Sequence, residues 1–136
     1  MRELIFPPAL EKGDQIGVFA PGSWIDEDDL KLGRFIIEAA GYSMQIHPQT
    51  FKRHNQSAGS SKDKAKALHE LFLDDDVKAV ICAGGGNRTL HFLDYVDLNV
   101  IYHNPKILMG YSDCTALLSA ITTQTGMITT HGPTVT

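Results

Sequence analysis

A three-layer α/β domain built on a parallel sheet is the fold class this sequence predicts. Short apolar runs such as "QIGVFA", "VKAVICA" and "NPKILMG" alternate with stretches of helical period, and each run is closed by glycine or by Pro-Gly. Successive strands joined through helices call for a parallel sheet, because right-handed crossovers lay the helices over its faces. A length of 136 residues with 43% hydrophobic content is the size of one domain with a real core.

The first strand is 15–20, closed by Pro21-Gly22. A helix is expected next, capped by Asp26 with Asp29 three residues on. Its buried face should carry Leu32, Phe35, Ile36, Ala39 and Ala40, and Gly41 should end it. Residues 43–47 read as a second strand, and the polar "PQTFKRHNQSAGSS" as a loop with little order of its own. Ser60 and Asp63 form a capping box for a helix that buries Ala65, Leu68, Phe72 and Leu73. Asp74-Asp75-Asp76 follows as a solvated turn, since adjacent carboxylates repel. The third strand, 77–83, runs into Gly84-Gly85-Gly86, followed by a short helix over 88–96 and a fourth strand over 104–110. A helix over 114–124 buries Leu117, Ala120 and Ile121, and a fifth strand over 127–131 stops at Gly132-Pro133. The architecture is flavodoxin-like or Rossmann-like, and such sheets bind ligands beyond the carboxyl ends of their strands. That edge carries Pro21-Gly22-Ser23, His47, Gly84 to Asn87, Tyr111-Ser112-Asp113 and His131.

Twelve Lys+Arg against 16 Asp+Glu give a net charge of −4, which speaks against a nucleic-acid partner. No segment approaches the roughly 18–20 uninterrupted apolar residues of a membrane helix. The start, "MRELIFPPALEKGD", makes a poor signal peptide, so a soluble cytoplasmic protein is expected. Cys82 and Cys114 lack the number and spacing of a disulfide framework or a metal site and read as buried free thiols.

Gly110-Tyr111-Ser112-Asp113-Cys114 places a serine where a strand turns into a helix, the geometry of a nucleophile elbow, but with Cys114 where G-x-S-x-G has its second glycine. On local sequence alone, the leading reading is that Ser112 or Asp113 merely caps the helix. Gly84-Gly85-Gly86 leaves the neighbouring strand at the same edge, where it is a tight turn, a phosphate cradle or, with Asp113, a set of oxyanion amides. The cradle lacks both G-x-G-x-x-G and a P-loop Gly-Lys-Ser/Thr. An oxyanion donor is worth about 2.7–4 kcal/mol where it has been measured. A serine nucleophile needs a base; His131 is the better-placed histidine, but no acidic residue stands behind it as an orienter.

"EKGDQIGVFAPGS", "VKAVICAGGG", "NPKILMGYSDCTALL" and "THGP" resemble, in order and spacing, the amino-terminal half of the LD-carboxypeptidase family, serine peptidases that include muramoyltetrapeptide carboxypeptidases and microcin C self-immunity hydrolases. The resemblance spans essentially the whole chain. It implies that Ser112 is the nucleophile, that the amides of Asp113 and of Gly85 or Gly86 form the oxyanion hole, and that a glutamate and a histidine come from a carboxyl-terminal domain absent from this chain. His131 is then not the base. Many members carry an arginine where this chain has Gly84, so Asn87, Arg88 and Tyr111 are the substrate-binding candidates. The implied reaction removes a terminal D-alanine from muropeptide-like substrates, with no metal or organic cofactor. Alternatives are a microcin-immunity-type amide hydrolase, a non-catalytic peptide-binding module and, as a third option, a nucleotide-phosphate binder at the glycine turn. Without the missing domain the chain is expected to be inactive or nearly so; a homodimer is compatible with the resemblance.

Overall fold

The computed structural model describes residues 2–136. Five parallel strands, β1 (Gln15–Phe19), β2 (Ser43–Ile46), β3 (Val77–Cys82), β4 (Ile107–Gly110) and β5 (Thr130–His131), pair in the order β2-β1-β3-β4-β5. The helices are α1 (Glu27–Ala39), α2 (Ser61–Leu73), α3 (Leu98–His103) and α4 (Thr115–Thr125). Strand order reverses between β1 and β3, and the carboxyl ends of strands at such a switch point are where open α/β sheets place their sites.

Side chains alternate across β3 and divide the core. Val80 and Cys82 join Phe19, Leu68, Phe72, Phe92, Leu108 and Leu117 on one face, beneath α2, α3 and α4. Ala79, Ile81 and Ala83 join Ile16, Val18, Leu30 and Val135 on the other. Gly17 admits α2 to the sheet, since a β-carbon there would stand 2.9 Å from both Leu71 and Val77.

The strands and three of the four predicted helices lie where expected to within a few residues at their ends, but α1 turns its other face to the sheet. Leu32, Phe35 and Ile36 are 69%, 69% and 58% exposed, and Ala39 and Ala40 are exposed as well. Leu30 and Gly33 are the buried residues of the helix. The reason is Gly33: a β-carbon there would lie 2.1 Å from the Val135 carbonyl oxygen, so only the glycine stripe approaches this closely. Asp26 does not cap α1 through its side chain; its carboxylate pairs with Arg53 instead.

The Ser60–Asp63 capping box is present, with Asp63 N–H donating to Ser60 Oγ at 3.1 Å and Ser60 N–H to Asp63 Oδ2 at 2.9 Å. Leu73 is exposed and Leu71 takes the buried place expected for it. The segment 48–58 is more ordered than its polarity predicts. Pro48–Phe51 forms a 3₁₀ turn, and Gln49, 2% exposed, donates to the carbonyls of Ala20 (2.8 Å) and Ala58 (2.7 Å) while accepting from Ala20 N–H (3.1 Å). Residues 89–95 are 3₁₀ rather than α, and α3 follows where no helix was expected, started by Asp97, whose side chain accepts from Asn99 N–H. β5 is only two residues long; Met127 bridges to Ile5 instead of extending it. Among the described residues no helix is long and apolar enough to cross a membrane.

Candidate functional site

β4 ends at Gly110, and the chain turns at once into a 3₁₀ turn, Ser112–Cys114, that continues as α4. The turn is tight because Cys114 folds back under the strand. A β-carbon on Gly110 would meet the Cys114 β-carbon at 2.8 Å and Cys82 Sγ at 3.0 Å. Ser112 is thereby held in the left-handed region, at φ 59°. For a residue with a β-carbon that region costs about 1–2 kcal/mol, so surrounding structure imposes it. Ser112 is exposed, and among the described residues its hydroxyl has no hydrogen-bond partner.

The glycine turn after β3 faces this serine. Gly85 presents an open side to it: a β-carbon there would lie 3.9 Å from Ser112 Oγ, with no closer neighbour. The rest of the turn is pinned. Gly84 carbonyl accepts from Cys114 Sγ at 3.3 Å, and Gly85 carbonyl accepts from Ser23 N–H at 3.1 Å. Gly22 lies so near that its β-carbon would stand 2.5 Å from the Gly85 oxygen, and Gly86 adopts φ 137° against Ser23. Among the described residues, the amides of Gly85, Gly86 and Asp113 have no acceptor. The loops after β1, β3 and β4 therefore converge around one exposed hydroxyl and several unoccupied N–H donors.

Helix capping does not explain the serine turn, because neither Ser112 nor Asp113 makes a side-chain cap at the start of α4. Asp113 reaches across to the loop after β3 instead. Its Oδ2 accepts from Arg88 N–H (3.1 Å), Thr89 N–H (3.0 Å) and Thr89 Oγ1 (2.6 Å). The carboxylate thus clamps the serine turn to the far end of the glycine turn.

Tyr111 is exposed and its ring meets that of His131 edge-on, with centroids 6.5 Å apart. Asn87 is exposed at the tip of the glycine turn, and Arg88 is half-buried with its Nε unpartnered. His47 lies at the same edge but is engaged by Glu70, its Nε2 2.6 Å from the carboxylate; that bond holds Glu70 below its ordinary range. Cys82 and Cys114 are buried free thiols, and the neighbouring Cys114 together with burial pushes Cys82 well up, away from nucleophilic use. Thr89 and Lys64 were not singled out from sequence. Lys64 was legible there: Lys64, Leu68 and Leu71 stand at helical spacing, which puts the lysine on the buried stripe of α2.

The LD-carboxypeptidase N-terminal domain family matches residues 16–132. The chain belongs to this family. A probable murein peptide carboxypeptidase of Bacillus subtilis is 41% identical over 127 residues, covering 93% of this chain and 40% of that protein. The microcin C7 self-immunity protein MccF of Escherichia coli is 33% identical over 127 residues, covering 91% of this chain and 37% of that protein. Among solved structures, an MccF-like protein from Bacillus anthracis superposes with a TM-score of 0.92 at 32% identity, over 96% of this chain and 41% of that one. The chain thus spans about two fifths of the length of the family members it matches. Their likeness supports the parallel α/β fold and a peptidase-type family.

Proposed function

We propose that this chain is the nucleophile-bearing domain of a serine carboxypeptidase of LD type. The observation that carries the reading is Ser112, exposed and held at φ 59° with a free hydroxyl, facing Gly85 so openly that a β-carbon added there would still stand 3.9 Å from Ser112 Oγ. In this reading Ser112 Oγ attacks the carbonyl carbon of the amide that joins a residue with an L-configured reacting centre to a terminal D-alanine. The serine proton passes to a base from outside residues 1–136. The tetrahedral oxyanion is held by the amides of Asp113 and of Gly85 or Gly86, donors of the kind worth about 2.7–4 kcal/mol each. Collapse breaks the C–N bond, and D-alanine leaves with the proton returned by the base. Water then hydrolyses the ester on Ser112. The base and its orienter are a histidine and a glutamate of a carboxyl-terminal domain, Asn87, Arg88 and Tyr111 contact the substrate, and no metal or organic cofactor takes part. Cytoplasmic recycling of cell-wall peptides is the role that fits a murein peptide carboxypeptidase relative.

The 136 residues by themselves are proposed to be nearly inactive, because loss of the base from a serine triad costs several orders of magnitude. The test is release of D-alanine from a muropeptide tetrapeptide by the chain extended with its carboxyl-terminal region, and by the Ser112→Ala version. Release that depends on Ser112 supports the reading; undiminished release from Ser112→Ala overturns it. A second reading, amide hydrolysis of the microcin-immunity type, is favoured by Gly84 and the exposed Asn87 in the glycine turn together with the similarity to MccF. The same pair of proteins, offered an aminoacyl-nucleotide amide in place of the tetrapeptide, separates the two.

A further inference from the structure

A pocket of about 290 Å³ opens beside the Asp113 clamp, and Ser112 is not among the residues that line it. It lies between the first turn of α2 and the start of the 3₁₀ segment 89–95, and Lys64, Arg88, His54, His91, Asn55 and Ser61 are among the residues that line it. Lys64 is 2% exposed, yet among the described residues no carboxylate or carbonyl oxygen pairs with its ammonium. The Arg88 Nε is fully enclosed and also lacks a partner. The nearby carboxylate, Asp113, already accepts three hydrogen bonds through Oδ2. None of the residues lining the pocket is acidic, although the chain as a whole carries a net charge of −4.

A lysine buried with no ion-pair or hydrogen-bond partner, beside a guanidinium whose enclosed Nε is unbonded, is costly, since lost hydration is replaced there only by the more distant charge of Asp113. The strain registers on Lys64, whose pKa falls from 10.5 to about 8 through burial, with Arg88 lowering it further and Asp113 opposing. A bound oxyanion would supply the missing acceptors: the guanidinium offers a fork of N–H donors, the ammonium a point charge, and Ser61 and Asn55 neutral donors at the rim.

We infer that this pocket is a binding subsite for the anionic oxygen group, carboxylate or phosphate, of a small ligand, held by Lys64 and Arg88. Because Arg88 N–H is bonded to Asp113, an anion bound here is coupled mechanically to the serine turn. Binding requires no chemistry at Ser112.

The experiment is an NMR titration of the isotope-labelled 136-residue chain with inorganic phosphate and, separately, with N-acetylglycine, which distinguishes phosphate from carboxylate. Saturable shifts centred on residues 54–64 and 88–91 are expected with at least one probe. They should weaken about tenfold or more in Lys64→Met and in Arg88→Gln, and persist in Ser112→Ala. Lys64 is also expected to take up a proton at pH 8 as the anion binds, read from its side-chain carbon shift in the parent chain. If Lys64→Met does not fold, Arg88→Gln and this proton uptake decide. Absence of saturable shifts at tens of millimolar, or shifts that survive in both folded variants, showing an adventitious ion only, would overturn the inference.

Discussion

Asp113 Oδ2 lies 2.6 Å from Thr89 Oγ1, so the residue after the serine is tied to the residue that closes the glycine turn. The two loops that frame the site are held at a fixed separation by a charged hydrogen-bond cluster rather than by packing alone. Removing that cluster with Asp113→Ala should lower stability by about 2–4 kcal/mol, while Asp113→Asn, which keeps one acceptor oxygen, should lose roughly half as much. Urea unfolding of the two variants measures this. Equal loss in both would mean that the carboxylate's hydrogen bonds are not what holds the loops.

Gly22 and Gly85 meet in space but should respond differently to a methyl group. Gly22→Ala forces a contact at 2.5 Å from the Gly85 oxygen and 3.0 Å from Asp113 Oδ2, and should cost about 1–3 kcal/mol. Gly85→Ala meets nothing nearer than 3.9 Å and should stay within about 1 kcal/mol of the parent. Its methyl nevertheless sits in front of Ser112 Oγ, so in the extended protein it should slow serine-directed fluorophosphonate labelling at least about tenfold. Normal labelling of Gly85→Ala would remove the glycine turn from the site.

At Ser112 the backbone conformation makes its own prediction. Because φ is 59°, Ser112→Gly should be more stable than Ser112→Ala by about 1 kcal/mol, reversing the usual order of these two residues. Thermal unfolding of the pair is sufficient, and a more stable alanine variant would show that the serine is not held in a left-handed turn.

The fold was legible in the sequence because its signals are local: short apolar runs closed by Gly or Pro, and the Ser60–Asp63 capping box. The serine turn and glycine turn were legible as well, since strand–turn–helix order at one sheet edge brings them together. What escaped depends on contacts distant in sequence. Period alone picks out Leu32, Phe35 and Ile36, and only the close seat of Gly33 on Val135 reveals that α1 faces the other way. The order of residues 48–58 rests on one buried glutamine with both ends bonded to backbone, and nothing in the neighbouring residues announces that. Asp113 looked like a helix cap because an aspartate at a helix start usually is one; its partners are 24 and 25 residues away.

That glutamine is testable. Gln49→Ala would leave Ala20 N–H and the carbonyls of Ala20 and Ala58 without partners, and should cost about 2–4 kcal/mol, with faster exchange of the amides around Ala58. A change below 1 kcal/mol, or about that, would place the order of the loop elsewhere.

Lys64 should impose a pH dependence on stability. Its pKa is about 8 in the folded chain and 10.5 as an ordinary lysine, so between these values the unfolded chain binds more protons than the folded one. Stability therefore rises as pH climbs from about 8 to about 10.5, by no more than about 3 kcal/mol, and below pH 8 the full cost is present. In Lys64→Met this rise should be absent and stability at pH 7 higher, as read by denaturant midpoints across the range. Parallel pH profiles for the two proteins would contradict the burial of an unpaired ammonium.

The central claim is that Ser112 is the nucleophile of a hydrolase whose base lies outside these residues. It is tested most directly by following D-alanine release from a tetrapeptide with the 136-residue chain, the chain joined to its carboxyl-terminal region, and the joined protein carrying Ser112→Ala. The account predicts turnover by the joined protein alone; turnover that survives loss of the serine hydroxyl, or full activity in the 136 residues by themselves, would contradict it.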